Sequence, residues 1–330
     1  MINQNELVHV LMMTYNHERY IKEAIESFLL QKTVFDCRLI IGDDCSTDNT
    51  SKIVKAYAAE YPDKITAFIN NKNIGSANNY FQLLDKCIAK YVAVLEGDDS
   101  WTDPYKLQKQ VDFLEKNPDF GLVHTDVDLY EQYSSKLIKN FNKTSAIRFP
   151  SGNILEELLK NLDLSIKTAS VVVRTETLKS SYNPELIKQR NWMLGDLPTY
   201  LEIAAHTKIQ YFDFTTATYR LLEESESRTR DHKKKLLFHL SVIDIRNYFW
   251  EKYSSDRVSN TALDIWSAKI LLDDAYKLRN WELAKKVRRF FSKKSIRMDM
   301  MDRIKLVLTF CMQKKNSTDL TIKYDWFTNI

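Results

Sequence analysis

The sequence predicts an α/β protein: a doubly wound, mostly parallel sheet followed by an all-α C-terminal region. Three observations carry this. Short apolar runs alternate with amphipathic stretches over the first hundred residues. Polar segments rich in Asp, Asn and Gly follow each of those apolar runs. From about residue 231 onward the spacing of apolar residues is helical throughout.

Residues 8–13 read as a buried strand. Residues 17–30 carry Ile21, Ala24, Ile25, Phe28 and Leu29 at helical spacing. A second strand is expected at 37–41, and a helix at 50–61 with Asp48 or Thr50 as its cap. Residues 65–69, 76–88 and 91–95 continue as strand, helix and strand. This β-α-β-α order directs attention to the segments just past each strand's carboxyl end, where open α/β sheets bind ligands. Further on, the reading is helix at 106–114, strand at 122–129, loop at 130–150, strand at 170–174 and helix at 192–206. Two short strands, 209–214 and 217–222, follow. Helices are then expected at 231–253, 261–278, 281–291 and 297–312, broken by Ser254-Ser255 and Arg279-Asn280. The expected organisation is an α/β domain at 1–228, divided into halves at 103/104, and a helical region at 229–330.

The chain has 330 residues, 44% hydrophobic and 28% charged, which fits a globular protein rather than a disordered one. No uncharged apolar stretch reaches about 18 residues, so no membrane-spanning helix is expected. Four cysteines without C-x-x-C spacing argue against a zinc site. The N-terminus lacks the pattern of a secretory leader, which predicts a reducing, cytoplasmic setting. The net charge of +4 is uneven. Residues 285–315 hold eleven Lys and Arg against two Asp, a local charge of +9. Ile296, Met300, Ile304, Val307, Leu308 and Cys311 recur there at helical spacing. This segment either lies on an anionic membrane as a peripheral contact or packs on the rest of the chain with its basic edge in water. Aromatic residues are not interleaved on one basic face, Phe290 and Phe291 being the sole nearby pair, so nucleic acid is not an expected partner.

Five segments carry chemistry. Thr14-Tyr15-Asn16 follows the first strand, where the Tyr15 ring can stack on a base or simply pack at a helix entry. Gly42-Asp43-Asp44-Cys45-Ser46-Thr47-Asp48 follows the second. Its adjacent carboxylates either pair with base or ribose groups or cap the next helix. Asn73-Ile74-Gly75 opens a helix whose N-terminus can face a phosphate. Glu96-Gly97-Asp98-Asp99-Ser100-Trp101 is the sharpest signal, with three carboxylates in four residues at a strand end. Oxygen ligands at that density suit Mg²⁺ or Mn²⁺, and Gly97 lets the backbone approach a ligand. Downstream, Asp196 stands at a helix entry as a cap or a general base. Arg220 and Arg228 are candidates to neutralise phosphate charge or to form surface ion pairs.

Taken together, these motifs, with the Lys106-Leu107-x-x-Gln110 stretch, resemble the inverting family-2 glycosyltransferases of GT-A fold, over roughly residues 6–228. The resemblance implies a nucleotide-diphosphate sugar as donor, a UDP-sugar first among them. Thr14, Tyr15, Asn16, Asp43, Asp44, Asn73, Gly75, Glu96, Gly97 and Arg220 would then bind the donor. Asp98 and Asp99 would hold the metal, Mn²⁺ or Mg²⁺. Asp196 is placed like the family's catalytic base, and Trp101 and Trp192 are expected to line the acceptor site. The expected acceptor is a glycan or lipid-linked glycan of bacterial surface-polysaccharide assembly. Two departures stand out: Glu96 replaces a commoner Asp, and Cys45 occupies a turn position often held by Gly, which is expected to need a negative φ or a relaxed turn. The competing readings are a polyprenyl-phosphate sugar transferase, which often carries membrane spans, and an inactive GT-A binding module.

Overall fold

The computed structural model describes residues 6–161, 164–222, 231–254 and 261–312. Its strands are β1 (Val8–Thr14), β2 (Cys37–Asp43), β3 (Ile65–Ile69), β4 (Tyr91–Val94), β5 (Ser100–Trp101), β6 (Phe120–Glu131), β7 (Lys136–Ile138), β8 (Val172–Arg174) and β9 (Lys208–Leu221). Its helices are α1 (Ile21–Leu29), α2 (Thr50–Glu60), α3 (Ser76–Lys86), α4 (Lys106–Lys116), α5 (Phe141–Thr144), α6 (Leu155–Lys160), α7 (Thr175–Ser181), α8 (Pro184–Gln189), α9 (Asp196–His206), α10 (His232–Tyr253), α11 (Thr261–Leu278), α12 (Trp281–Lys293) and α13 (Met300–Cys311).

The strands join in the order β3-β2-β1-β4-β8-β6-β9-β5, with β7 paired to β6. The first four are parallel. Strand β8 then runs antiparallel to both β4 and β6, while β6 and β9 are parallel to each other. The early half is thus a parallel, doubly wound sheet, and the later half is mixed. Val8, Val10, Leu11 and Met12 of β1, like Leu39, Ile40 and Ile41 of β2, are fully buried. Both faces of these strands are covered, so they read as continuous apolar runs instead of alternating ones. Helix α1 supplies part of the cover through Ile21, Ala24, Ile25 and Phe28, the i, i+3, i+4, i+7 stripe.

Several elements differ from the sequence expectation. The two short strands near 209–222 are one long strand, β9, whose pairing with β6 shifts register around Thr125, Asp126 and Val127. The irregularity explains why periodicity breaks at Thr215-Thr216. Residues 130–150 hold the β7 hairpin and α5. Helix α9 begins at Asp196, not 192.

The chain divides into two compact units. One comprises 1–157, 163–184 and 195–221; the other comprises 158–162, 185–194 and 222–330. The expected boundary at 228/229 lies outside the described residues, as does Arg228. Trp192 belongs to the helical unit and is buried there. Its indole N–H donates to Asp244 Oδ2 at 2.7 Å, and its ring packs on Tyr248 and Phe249. This corrects its assignment to an acceptor surface: both its face and its polar edge are engaged. No described helix is long and apolar enough to cross a membrane.

At the amino end of the sheet, remote from the strand ends that carry the chemistry, Glu6 bridges two buried residues. Its Oε1 accepts from Arg38 Nε at 2.6 Å and its Oε2 meets His9 Nε2 at 3.0 Å. His9 Nδ1 accepts the Ile88 N–H, so the ring donates to Glu6 through Nε2. Burial lowers the His9 pKa and keeps it neutral. Glu6→Ala strands the Arg38 guanidinium without a counter-charge. It is expected to destabilise the protein by about 3–5 kcal/mol in urea unfolding.

Candidate active site

The site forms where β1, β2 and β4 end side by side. Their ends are tied by backbone bonds: Asp44 N–H to Thr14 O at 3.0 Å and Gly97 N–H to Met13 O at 2.9 Å. Gly97 is therefore flush against β1. A Cβ there would lie 2.7 Å from Thr14 Oγ1 and 2.9 Å from His17 Nδ1, so no larger residue fits without displacing them. Those two polar atoms are buried and find no hydrogen-bond partner among the described residues.

The loops after β1 and β2 are zipped together. Asn16 takes φ 55 and its Oδ1 accepts from the Thr47 N–H and Oγ1. Its own N–H donates to Ser46 Oγ. Asp48 accepts the Glu18 N–H, and Glu18 accepts from the Asn49 N–H and Nδ2. Asp43 is fully buried, accepting from the Ser46 N–H and hydroxyl and from the Ser51 hydroxyl. Asp44 accepts from Ile74 N–H at 2.9 Å, Gly75 N–H at 2.8 Å and Asn70 Nδ2 at 3.1 Å. Both oxygens of each carboxylate are thus engaged by protein donors. Asn16, Asp43 and Asp44, expected to bind donor, build the walls of the site. Asn73 adds a bond to the Gly75 N–H. Gly75 has φ 84 and ψ 154, a region open essentially to glycine alone. Cys45 has φ 62, against the expectation of a negative φ; the short turn demands a left-handed residue there and the chain tolerates one. Tyr15 keeps an exposed ring.

The turn after β4 gathers Glu96, Asp98 and Asp99, each offering an oxygen within 4.8 Å of the others. Arg220 holds this turn. Its N–H donates to Asp99 Oδ1 at 2.7 Å and its Nε–H to the Asp98 carbonyl at 2.8 Å. Its remaining nitrogens reach Gln132 and Glu23, and its guanidinium lies between the Tyr20 and Tyr130 rings. Arg220, expected near the donor phosphates, is in this fold a clamp on the acidic turn. It also lines an open polar cavity of about 440 Å³ with Arg19, Tyr20, Glu23, Tyr130, Gln132 and Thr218.

Burial pushes the Glu96 carboxyl up to about 8, aided by the charges of Asp98 and Asp196. Burial likewise holds Asp99 well above the usual range, with Asp98 and Glu96 adding to it and Arg220 opposing. Asp99 Oδ2 is buried with no donor among the described residues. Three crowded hard oxygens, one of them orphaned, fit a divalent cation of the Mg²⁺ or Mn²⁺ type. Glu96, expected to contact donor, joins Asp98 and Asp99 in that set.

Asp196 opens α9, its Oδ1 accepting the Leu197 N–H at 2.7 Å. Burial raises its pKa, against the Leu197 N–H and the Lys167 charge. Its field reaches Glu96 and three phenols, Tyr80, Tyr200 and Tyr219, all raised by burial first and by neighbouring groups after. Trp101 is buried. Its indole donates to Ala169 O at 2.9 Å and the Lys106 ammonium lies 4.6 Å from its ring centre, so it is core and not an acceptor platform. Sequence reasoning missed Lys167, Thr168 (bonded to Glu96), Tyr80 and Tyr200. They lie in an aperiodic stretch or on helices, where nothing local distinguishes them. Tyr219 was visible as the neighbour of Arg220.

A sequence profile described as "Glycosyl transferase family 2" matches residues 9–174, half of the chain. The chain belongs to this family. The Mycobacterium tuberculosis protein Rv1520, itself uncharacterized, is 43% identical over 110 residues. That alignment covers 33% of this chain and 32% of Rv1520, so the chain matches about a third of that relative's length. Bacillus subtilis TuaG, whose name places it in teichuronic acid biosynthesis as a glycosyltransferase, is 29% identical over 232 residues, covering 70% of this chain and 85% of TuaG. The mannosyltransferase PcManGT of Pyrobaculum calidifontis, solved with GDP-Man and Mn²⁺, superposes with a TM-score of 0.56 at 14% identity. The superposition covers 93% of this chain and 84% of PcManGT, and it supports the GT-A fold of this family-2 chain.

Two outcomes follow from the geometry of this family-2 site. Gly75→Ala forces φ 84 on a residue with a Cβ, in otherwise open space, and should destabilise by about 1–3 kcal/mol by calorimetry. Glu96 ionises near its ordinary 4.5 in the unfolded chain but only at about 8 in the fold. Between those values the unfolded chain has already lost a proton that the fold retains, so rising pH destabilises the metal-free fold. With chelator present, Glu96→Gln should therefore unfold at a higher temperature than the parent at pH 8, with the gap closing toward pH 5.

Proposed function

We propose that this chain is an inverting, metal-dependent glycosyltransferase that moves a sugar from a nucleoside-diphosphate sugar, a UDP-sugar first, to an acceptor hydroxyl. The acceptor is a glycan or lipid-linked glycan of bacterial surface-polysaccharide assembly, and the chain works on the cytoplasmic side. The observation that carries this reading is the acidic cluster Glu96, Asp98 and Asp99 on the carboxyl edge of the sheet, close enough to Asp196 for its charge to raise Glu96. Family membership and the likeness to TuaG support the class of reaction.

Asp98 and Asp99, with Glu96, would hold Mn²⁺ or Mg²⁺. When bound, such an ion supplies Lewis-acid stabilisation of the departing diphosphate. The exposed Tyr15 ring stacks on the base, and Gly97, packed flush against Thr14 and His17, holds the acidic turn beside the end of β1 where the donor binds. Asp44 and Asn73 keep the loop at Gly75 in shape. Asp196 takes the proton of the acceptor hydroxyl as its oxygen attacks the anomeric carbon. The bond from that carbon to the diphosphate breaks, and its electron pair leaves with the nucleotide. Attack from the face opposite the leaving group inverts the centre, giving a β-linked product from an α-linked donor of ordinary series. A base whose pKa burial has raised binds that proton more readily than an ordinary carboxylate.

The test is a panel of nucleotide sugars, scored by thermal shift with and without Mn²⁺ and then by turnover. One donor should stabilise the parent only with metal, because stabilisation follows affinity. Asp99→Asn should lose that shift. Asp196→Asn should keep it while turnover falls about 10²–10⁴-fold. Indifference to every donor would point to a binding module, and undiminished turnover in Asp196→Asn would remove its role as base.

A further inference from the structure

The last described helix is mounted inside out. In α13 the residues turned inward are polar: Asp302 and Thr309 are buried, and Lys305 reaches Asp273 of α11 at 3.0 Å. Asp299 and Asp302 close a capping box at its start, and Lys269 of α11 pairs with Asp299 at 2.8 Å. The residues turned outward are apolar. Met300 is 77% exposed, Val307 60%, and Met301, Ile304 and Leu308 are also open to solvent. At 100° per residue Met300, Ile304, Val307 and Leu308 share one arc. Phe310 touches Trp281 at its margin yet stays half exposed. An apolar patch of this kind on a polar-mounted helix is the reverse of normal packing, and contiguous exposed patches mark interaction surfaces.

The charges around it say what covers it. Arg303 stands on the same outward arc, and Arg297 precedes the helix by three residues. With Arg288 and Arg289 of α12 they are exposed and have no ion pair among the described residues. Other basic groups nearby are already neutralised: Lys285 by Glu282, Lys294 by Asp264 and Lys305 by Asp273. A two-fold contact with a second copy would bring this same arginine-bearing patch against itself, a like-charge arrangement. An anionic lipid surface offers the complement to both features at once, acyl chains for the methionines and aliphatics and headgroups for the arginines. With 12 residues, α13 falls short of the roughly 20 needed to cross a bilayer, so it lies along the interface.

We propose that the outward face of α13 docks this protein onto a membrane surface containing anionic lipid. The proposal stands independently of the transfer reaction. The experiment is co-sedimentation of the full chain with vesicles of phosphatidylcholine plus phosphatidylglycerol, and with phosphatidylcholine alone. Preferential, salt-sensitive binding to the anionic vesicles is expected. The double variant Ile304→Glu/Val307→Glu should weaken it about tenfold or more, as should Arg297→Glu/Arg303→Glu. All four side chains are exposed, so unfolding temperature should hold. Absence of binding to anionic vesicles, or equal binding by the variants, overturns the proposal. So does a parent that is dimeric in solution and becomes monomeric in the Ile304→Glu/Val307→Glu variant.

Discussion

Four carboxylates at one edge of a sheet repel one another, and the site exists because the fold holds them there anyway. Glu96, Asp98 and Asp99 crowd within 4.8 Å, and Asp196 adds its field to Glu96. Arg220 is the principal restraint. From β9 it fixes the Asp98 carbonyl and one Asp99 oxygen while tying the end of β6 and α1 to the same turn through Gln132 and Glu23. Burial first, and the neighbouring carboxylates that one guanidinium does not balance second, raise the Glu96 and Asp99 ionisations. A turn held together against its own charge is primed for a cation, since a bound ion relieves repulsion that the apo fold must otherwise absorb by keeping protons.

Around that turn the other loops act as scaffolding. Asp43 and Asp44 resemble ligand-binding carboxylates, yet each is saturated by donors from neighbouring loops. Buried carboxylates with several N–H partners are rigid, and rigidity at the strand ends is what a nucleotide site requires. Asn16 does the same work in the left-handed conformation, bonding the first loop to the second. The trade is visible at Gly97, where β1 and the acidic turn approach so closely that only glycine fits.

The two units of the chain follow different packing logic. The sheet unit buries apolar runs on both faces of its parallel strands, as Val8–Met12 shows. In the helical unit, α13 instead turns Asp302, Thr309 and Lys305 inward and leaves its apolar arc outside. That inversion distinguishes a surface from a core element. Periodicity alone cannot make the distinction, because it gives the width of an apolar stripe and not its direction.

Much of the architecture was legible in the residues themselves. Apolar runs mark β1 to β4 because these strands are covered on both faces, and helical spacing marks α10 to α13, although in α13 the apolar arc it marks faces outward. The acidic turn was legible because three carboxylates in four residues are unusual at a strand end. Tertiary structure alone decided which polar groups face the site. Arg220, Asp43, Asp44, Trp101 and Trp192 carry the right chemistry for ligands but meet partners distant in sequence, such as Asp98 and Asp99 for Arg220 and Ala169 for Trp101. Lys167 and Thr168 come to Asp196 and Glu96 only through the fold, whereas Tyr200 stands one helical turn past Asp196 on α9. Sequence records which hydrogen-bonding and charged groups a segment carries; the partner that takes them is settled by distances between segments, which local patterns do not encode.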